Sequence, residues 1–453
     1  MSVETRREIP KDIFKAYDIR GLYPSELDEE SAYRIARAFA TSLKPSVVVL
    51  GHDMRESADQ ICQATIRGLN DQGSDVITVG LTSTSMYYYA VNTLNGQAGV
   101  MVTASHNPAQ YTGYKMTGPE AIPSIAFVSN EELWRLASEG RFTEPERRGE
   151  VIGREDVLQD YVTAVLDNAG ISSFGDLKIV VDAGNGMAGM ILPHLFRRVG
   201  SRPIPLFWEL DGTFPNHEAN PLKEETLRQL KETVVNENAD LGVAYDGDAD
   251  RVRFVDETGQ SISGDLITAL IAREMLKKAP GARIMYDLRS SWVVPEEIEK
   301  AGGVAVKCRV GHGLIKKQMR EEGGYFAGEL SSHYYFSDFY YTDNGDLAML
   351  NIIKQMLSTG QTMSELIRPL QRYYHSGEIN SDVADQNAKL AELEKVYSGG
   401  RMLHLDGLTV EFDDWWFNVR PSNTEPLLRL NLEAKTKEKM EEKREELLEL
   451  IRS

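Results

Sequence analysis

Four short segments of this chain carry side chains able to do chemistry. The first, Thr103-Ala-Ser-His-Asn-Pro108, directly follows an apolar run and presents a hydroxyl, an imidazole and an amide before a chain-reversing proline. A hydroxyl at such a turn can act as a nucleophile or carry a phosphoryl group. The plain alternative is a polar turn whose side chains satisfy nearby backbone. No G-x-S-x-G nucleophile elbow surrounds Ser105, so a serine hydrolase is unsupported. The second segment, Asp246-Gly-Asp-Ala-Asp-Arg251, delivers three carboxylates at alternate positions after an apolar strand. Carboxylate oxygens are hard ligands that suit Mg²⁺. Gly247 lets the backbone bend around an ion, and three clustered acids are costly to bury without a cation. An EF-hand loop starting at Asp246 would need glycine where Arg251 stands, and strands flank the segment instead of helices. An aspartyl-phosphate phosphotransferase using Asp246 as nucleophile is the stronger rival.

The third segment is Gly328-Glu-Leu-Ser-Ser-His333, again after an apolar strand. Glu329, Ser331 and His333 alternate, so an extended backbone would turn all three to one side. A carboxylate and a hydroxyl suit recognition of sugar hydroxyls, and a histidine can move a proton near neutral pH. Its plain alternative is a polar edge strand. The fourth, Arg420-Pro-Ser-Asn-Thr-Glu-Pro426, joins two strands near the C-terminus. A guanidinium with hydroxyl and backbone donors suits a phosphate, although no Walker loop is present. A proline-bounded hairpin turn is the alternative.

These segments need a scaffold, and the chain reads as alternating strands and helices. Val47–Gly51, Asp75–Val79 and Gly99–Val102 are short apolar runs predicted as strands, with helical spacing over Glu56–Asn70. Ser129-Asn-Glu-Glu132 has the capping-box spacing and predicts a helix start. A charged stretch, Glu139–Asp156, reads as a linker. The alternation resumes with strands Leu177–Asp182, Leu241–Tyr245 and Arg251–Val255, helices Met187–Val199 and Leu222–Asn236, and the turn Gly184-Asn-Gly186. A third unit has strands at Arg283–Tyr286, Val304–Lys307 and Tyr325–Gly328 with helices Leu266–Lys278, Trp292–Ala301 and Leu314–Glu322. After Pro369 the strands Arg401–Leu405, Leu408–Phe412, Trp416–Arg420 and Leu427–Leu432 come close together, and a charged helix, Lys437–Ile451, follows. The expected division is 1–150, 151–258, 259–369 and 370–453: three α/β domains and a smaller α+β domain, each holding one segment.

Composition narrows the class of function. A 453-residue chain that is 42% hydrophobic and 26% charged is ordinary globular material. Its net charge of −19 disfavours nucleic acid and anionic membranes at long range. A small anionic substrate remains possible, because local Arg and Lys can act within a shielded site. Two cysteines, Cys62 and Cys308, are too few for a disulfide framework or Cys-rich zinc site and favour a reducing, cytoplasmic compartment. Neither a secretory leader nor an apolar stretch of membrane length is visible.

Taken together and in this order, TASHNP, DGDADR, GELSSH and RPSNTEP resemble the motifs of the α-D-phosphohexomutase superfamily, in its phosphomannomutase/phosphoglucomutase group. Phe14-Lys-Ala-Tyr-Asp-Ile-Arg-Gly21 and Gly311-His312 add to the likeness, which covers essentially the whole chain. The resemblance implies four domains around a central cleft: three α/β domains with mixed sheets and a smaller C-terminal α+β domain. It implies a phosphoserine at Ser105 and a Mg²⁺ held by that group with Asp246, Asp248 and Asp250. The expected activity is an isomerase that interconverts hexose 1-phosphate and hexose 6-phosphate through a hexose 1,6-bisphosphate, which also primes the serine. By motif match, Arg251 supports the phosphoryl group or the metal carboxylates. Glu329 and Ser331 read the sugar hydroxyls, and Arg420, Ser422, Asn423 and Thr424 grip the non-reacting phosphate. Tyr17, Arg20, Lys115, His312 and His333 serve substrate binding or proton transfer, while His106 orients its loop. Ala249 and Ser332 stand where glycine is common in the family. Asn423 and His333 point toward mannose and glucose mutases; a phosphoglucosamine mutase, and a Mg-dependent phosphatase or phosphotransferase using Asp246, are the alternatives. The expected partner is a small phosphosugar substrate, with no nucleic acid or membrane, and the chain is expected as a monomer or homodimer. Trp415 and Trp416 read as strand packing, and His52, His194, His217, His375 and His404 as structural.

Overall fold

A computed structural model describes residues 8–154, 156–421 and 427–453. The chain divides into two compact units, Met1–Ile262 with His333–Thr362, and Ser263–Ser332 with Met363–Ser453. The first unit opens with β1 (Ile19–Leu22), α1 (Glu29–Leu43), β2 (Val47–His52), α2 (Ala58–Asn70), β3 (Asp75–Leu81), α3 (Thr84–Thr93), β4 (Ala98–Val102), β5 (Tyr111–Thr117), α4 (Asn130–Glu139) and β6 (Val151–Gly153). These strands form one mixed sheet in the order β1-β5-β4-β2-β3-β6. The apolar runs Val48–Leu50 and Ala98–Val102 are buried at its centre, where strands covered on both faces must be apolar throughout. Side-chain caps start the helices: Asp28 accepts from the Ser31 amide and Ser129 from the Glu132 amide, the latter at the predicted capping box. The stretch expected to be a linker is partly structured. Val151–Gly153 pairs parallel with Val76–Thr78 and extends the sheet at its edge. All three residues are exposed, so no hydrophobic alternation marks the strand.

The unit continues with α5 (Val157–Ala169), β7 (Ile179–Asp182), α6 (Ala188–Arg198), β8 (Ile204–Leu206), α7 (Arg228–Asn236), β9 (Leu241–Tyr245), β10 (Val252–Asp256) and β11 (Ser261–Ile262). The sheet order is β11-β10-β9-β7-β8. A 3₁₀ turn, Glu224–Leu227, occupies the start of the span expected to be one helix. β9 and β10 pair antiparallel with Tyr245 opposite Val252, so residues 246–251 are the loop of a hairpin.

The second unit begins with α8 (Gly264–Lys278), β12 (Arg283–Asp287), α9 (Val293–Lys300), β13 (Val304–Cys308), α10 (His312–Glu322) and β14 (Gly324–Gly328). β12 lies between β13 and β14 and pairs parallel with both. The chain then returns to the first unit as the hairpin β15 (Tyr334–Phe336) and β16 (Thr342–Asp343), followed by α11 (Gly345–Thr359). Asp346 at the head of α11 accepts hydrogen bonds from the Tyr161 hydroxyl at 2.7 Å and the Tyr245 hydroxyl at 3.1 Å.

Back in the second unit come α12 (Met363–Ile367), β17 (Tyr374–His375), β18 (Ile379–Asp382), α13 (Gln386–Val396), β19 (Arg401–Leu403), β20 (Leu408–Glu411), β21 (Trp415–Pro421), β22 (Leu427–Ala434) and α14 (Lys437–Arg452). The sheet is antiparallel, β17-β22-β21-β20-β19, with β18 also on β22. Trp415 stacks on Phe412 at 4.8 Å and Trp416 donates its indole N–H to Glu433, so both tryptophans serve packing. Among the described residues, no helix is long and apolar enough to cross a membrane.

Candidate active site

Two strand ends of the first unit place the serine and the acids against one another. β4 ends at Val102, and Thr103–Pro108 turns the chain toward β5. Ser105 sits in this turn with φ of +50°, in the left-handed region that a serine adopts only when its surroundings impose it. Those surroundings are identifiable. The Ser105 amide donates to Thr103 Oγ1 at 2.9 Å, and Thr103 Oγ1 donates to Asp53 Oδ2 at 2.6 Å. The Arg55 guanidinium donates to four carbonyls around the turn: Ser105 (2.8 Å), Asn107 (2.6 Å), Pro108 (2.7 Å) and Tyr111 (3.0 Å). Buried Asp53 and Arg55 thus brace the loop from β2, although sequence reasoning did not single them out. Their signal is an acid at the C-terminal end of a buried parallel strand, where α/β sheets place functional groups.

The β9–β10 hairpin loop supplies the acids. Gly247 is required here by close approach, since a Cβ at this position would lie 2.6 Å from the Ser105 carbonyl oxygen. This contact lets the Ser105 hydroxyl donate to Asp246 Oδ2 at 2.9 Å. Asp246, Asp248 and Asp250 are fully buried, and one oxygen from each lies within 4.8 Å of the others. Thr84 at the start of α3 donates its hydroxyl to Asp248 Oδ2 at 2.6 Å. Asp248 Oδ1 is buried and accepts no hydrogen bond among the described residues. An unpartnered hard oxygen beside two more carboxylates fits a divalent cation of the Mg²⁺ type.

Lys115 on β5 balances part of this charge. Its ammonium donates to Asp248 Oδ2 at 2.6 Å and also to Asp250 Oδ2. Burial opposes its charge, but Asp248 and Asp250 outweigh that and raise its pKa. Asp246 is pushed well above the usual carboxylate range by burial and by the charges of Asp250 and Asp248. Asp250 lies well below that range: burial acts against its charge, yet Lys115, His333 and Arg251 prevail.

Arg251 completes the loop. Its amide donates to Asp246 Oδ1 at 3.1 Å and its Nε donates to His333 Nε2 at 3.1 Å. That ring nitrogen also lies 3.4 Å from Asp250 Oδ1. His106 Nδ1 lies 3.1 Å from the Ser105 hydroxyl. Burial, with Arg251 and Arg20, holds its imidazole neutral by lowering its pKa well below the usual value. Arg20 on β1 donates to Asn107 Oδ1 at 2.6 Å and to Asp18 at 2.9 Å, tying the N-terminal motif to the serine loop. Tyr17 lies close enough to act electrostatically on Arg20. The first unit therefore gathers nine predicted residues: Tyr17, Arg20, Ser105, Lys115, Asp246, Asp248, Asp250, Arg251 and His333.

The second unit holds His312, Glu329, Ser331 and Arg420. His312 starts α10 and is buried. Glu329 is buried, and its Oε1 accepts the Gly311 amide at 3.0 Å. The segment from Glu329 to His333 is not extended as expected. The Ser332 amide donates to the Glu329 carbonyl, and Ser332 takes a φ of +66°, so a turn replaces the alternation. Ala249 likewise has φ of +60°. Both positions occupied here by Ala or Ser thus use backbone that glycine adopts without strain. Arg420, on β21, pairs with Glu378 at 3.1 Å. Ser422, Asn423 and Thr424 lie outside the described residues.

Comparison with known proteins covers the same ground. Models of the phosphoglucomutase/phosphomannomutase family match in sequence: α/β/α domain I over residues 11–139, domain II over 159–259, domain III over 263–373 and the C-terminal domain over 378–450. A phosphomannomutase of Methanocaldococcus jannaschii is 39% identical over 444 residues, spanning 97% of each chain. A solved phosphoglucomutase/phosphomannomutase family protein of Burkholderia thailandensis is 31% identical with a TM-score of 0.88, covering 98% of this chain and 97% of that one. An Aspergillus fumigatus N-acetylphosphoglucosamine mutase, solved in complex with glucose 1,6-bisphosphate, shares the fold at 13% identity and a TM-score of 0.59, covering 99% and 96%. The serine, the acids and four consecutive domain matches lead to one conclusion: the chain belongs to the phosphoglucomutase/phosphomannomutase family of hexose-phosphate mutases, which are isomerases.

Proposed function

We propose that this mutase interconverts the 1- and 6-phosphates of mannose and glucose through a phosphoserine at Ser105. The observation that carries this reading is the Ser105 hydroxyl, held on left-handed backbone 2.9 Å from Asp246 within the acidic loop. Phosphorylated Ser105 gives its phosphoryl group to the free hydroxyl of a hexose monophosphate. The P–O bond to Ser105 breaks, a new one forms to the sugar, and the sugar hydroxyl proton goes to a base. The resulting 1,6-bisphosphate presents its other end, and its original phosphoryl group passes to Ser105: the P–O bond to the sugar breaks, one forms to the serine oxygen, the serine hydroxyl gives up its proton and the departing sugar oxygen takes one. Asp246, Asp248 and Asp250 would hold Mg²⁺ with the phosphoserine, and the cation would neutralise charge on the transferring group. Lys115 and Arg251 hold the carboxylates in place and add positive charge. His333, between Arg251 and Asp250, is the proposed proton carrier at the reacting hydroxyl. On the second unit, Glu329 and Ser331 would read sugar hydroxyls, with Arg420, Ser422, Asn423 and Thr424 gripping the non-reacting phosphate. Tyr17, Arg20 and His312 complete the substrate contacts, and trace hexose 1,6-bisphosphate would prime Ser105.

³¹P NMR tests the reading. Purified protein with Mg²⁺ and a trace of glucose 1,6-bisphosphate receives mannose 1-phosphate or glucose 1-phosphate. The 6-phosphate is expected in both tubes without inorganic phosphate. Release of inorganic phosphate would instead support a phosphatase with Asp246 or water as nucleophile.

A further inference from the structure

Arg420 shares its partner. Glu378, just before β18, accepts at Oε2 from Arg420 Nη2 (3.1 Å), Arg289 Nη1 (3.3 Å) and Asn431 Nδ2 (3.4 Å). Its Oε1 lies 3.5 Å from Arg429 Nη1. Three guanidinia therefore meet on one carboxylate. Burial opposes the Glu378 charge, but Arg289, Arg420 and Arg429 pull its pKa down to about 2, so it is ionised at any working pH. Arg289 has further acids, Asp287 at 2.7 Å and Glu329 at 3.8 Å. For Arg420, Glu378 is the one ion-pair partner among the described residues.

The donors of Arg420 are used unevenly. Nε is buried and makes no hydrogen bond among the described residues, while Nη2 on the same edge of the guanidinium is taken by Glu378. An arginine grips an oxyanion side-on through those two groups together. Glu378 thus occupies half of the edge that a two-point phosphate grip would use, and no other described residue takes the other half.

We propose that Glu378 is an internal competitor for the phosphate grip of Arg420, setting how tightly a phosphosugar is held and how readily it is let go. The proposal rests on Arg420 as a phosphate-binding residue. A mutase has reason for such a residue. Its bisphosphate must leave the grip by one phosphate and return by the other in each cycle. Affinity felt equally throughout the cycle lowers KM without raising kcat. A fixed carboxylate that reclaims Arg420 when the phosphate leaves weakens the bound state and neutralises the buried guanidinium in the free state. Glu378 touches no reacting atom and acts through Arg420.

The test titrates inorganic phosphate into the full-length protein by calorimetry and measures mutase kinetics with glucose 1-phosphate. Glu378→Gln keeps the size and an acceptor but removes the charge. It is expected to bind phosphate about tenfold more tightly, with KM and kcat both lowered. A merely structural role predicts weaker binding and a higher KM, and either weaker or unchanged phosphate affinity in Glu378→Gln overturns the proposal. Should that variant melt at a lower temperature, Glu378→Asp, which retracts the same charge by one methylene, gives the reading: tighter binding supports it, unchanged or weaker binding overturns it. Arg420→Gln separates the two levels. Phosphate affinity that ignores this change overturns the phosphate-binding reading of Arg420, and the role of Glu378 falls with it. Affinity that depends on Arg420 but does not rise in Glu378→Gln overturns Glu378 alone.

Discussion

Replacing Lys115 by Met tests whether the acidic loop is built for a cation. Lys115 is 3% exposed, and its ammonium touches Asp248 and Asp250, both fully buried. Methionine retains the length of the apolar stem and removes the charge. Breaking a buried ion pair from one side typically costs about 3–5 kcal/mol, because the remaining charge loses its partner. In a unit of this size, roughly 2 °C accompanies each kcal/mol, so an apparent melting temperature about 6–10 °C lower is expected in EDTA. A cation at the same carboxylates should then return much of the loss. At a concentration about a hundred times its dissociation constant, a ligand stabilises by about 2.7 kcal/mol. In the unaltered protein Lys115 already neutralises one oxygen each of Asp248 and Asp250, so Mg²⁺ should raise the melting temperature of the variant more than that of the parent. Differential scanning fluorimetry across a Mg²⁺ series, with Ca²⁺ for comparison, gives the readout. A variant whose melting temperature Mg²⁺ does not raise would refute the reasoning, because the acids would then be a structural cluster served by lysine alone.

Ser105→Ala should abolish mutase turnover while leaving the melting temperature within a few degrees; intact-mass spectrometry should show a phosphoryl adduct on the parent only. His333→Asn should lower kcat at least tenfold with a smaller change in KM, as general acid–base groups contribute about 10²–10⁴ in rate, and phosphorylation of Ser105 by glucose 1,6-bisphosphate should persist. Asp346 predicts a pH effect on stability. Burial raises its pKa to about 6, against the donated hydroxyls of Tyr161 and Tyr245, from an ordinary value of 3.8. A raised carboxylate favours the protonated fold, so its contribution is full below about pH 4 and fades as pH rises through 6. Asp346→Asn should therefore gain stability relative to the parent between pH 4 and pH 7, by up to roughly 3 kcal/mol. Parallel melting curves over that range check the sign, and a constant difference would contradict it.

The legible parts of the sequence were those with one dominant physical signal. Val48–Leu50 and Leu241–Tyr245 are buried on every side and read as unbroken apolar runs. The acids at 246, 248 and 250 stood out because such density has few uses without a cation. Other elements conceal their signal. α1 buries Arg34 and Arg37 within its packed face, where Arg34 donates to the Ala137 and Ser138 carbonyls, so charge interrupts its apolar stripe. α3 is rich in Tyr and Thr, which favour strands, and tertiary burial overrides that preference. The turn at Ser332 was hidden because a serine takes a backbone conformation usually left to glycine. Arg55, Thr84 and Glu378 act on residues far away in sequence, and no local pattern announces a contact of that kind.

The order in which the compact units occur along the chain bears on how the protein is made. Residues His333–Thr362 belong to the first unit yet follow seventy residues of the second, Ser263–Ser332. Asp346, the shared acceptor of Tyr161 and Tyr245, and His333, the partner of Arg251, both lie in that returning stretch. A ribosome adding about 5–20 residues per second needs roughly 5–20 s to go from Ile262 to Thr362. Until His333 and then Asp346 are added within that interval, the nascent first unit has an acidic loop without its histidine and two tyrosine hydroxyls without their acceptor. Neither unit can be excised from the gene as one uninterrupted reading frame, so a fragment ending at Ile262 would retain the serine and the acids but leave that side of the site unfinished.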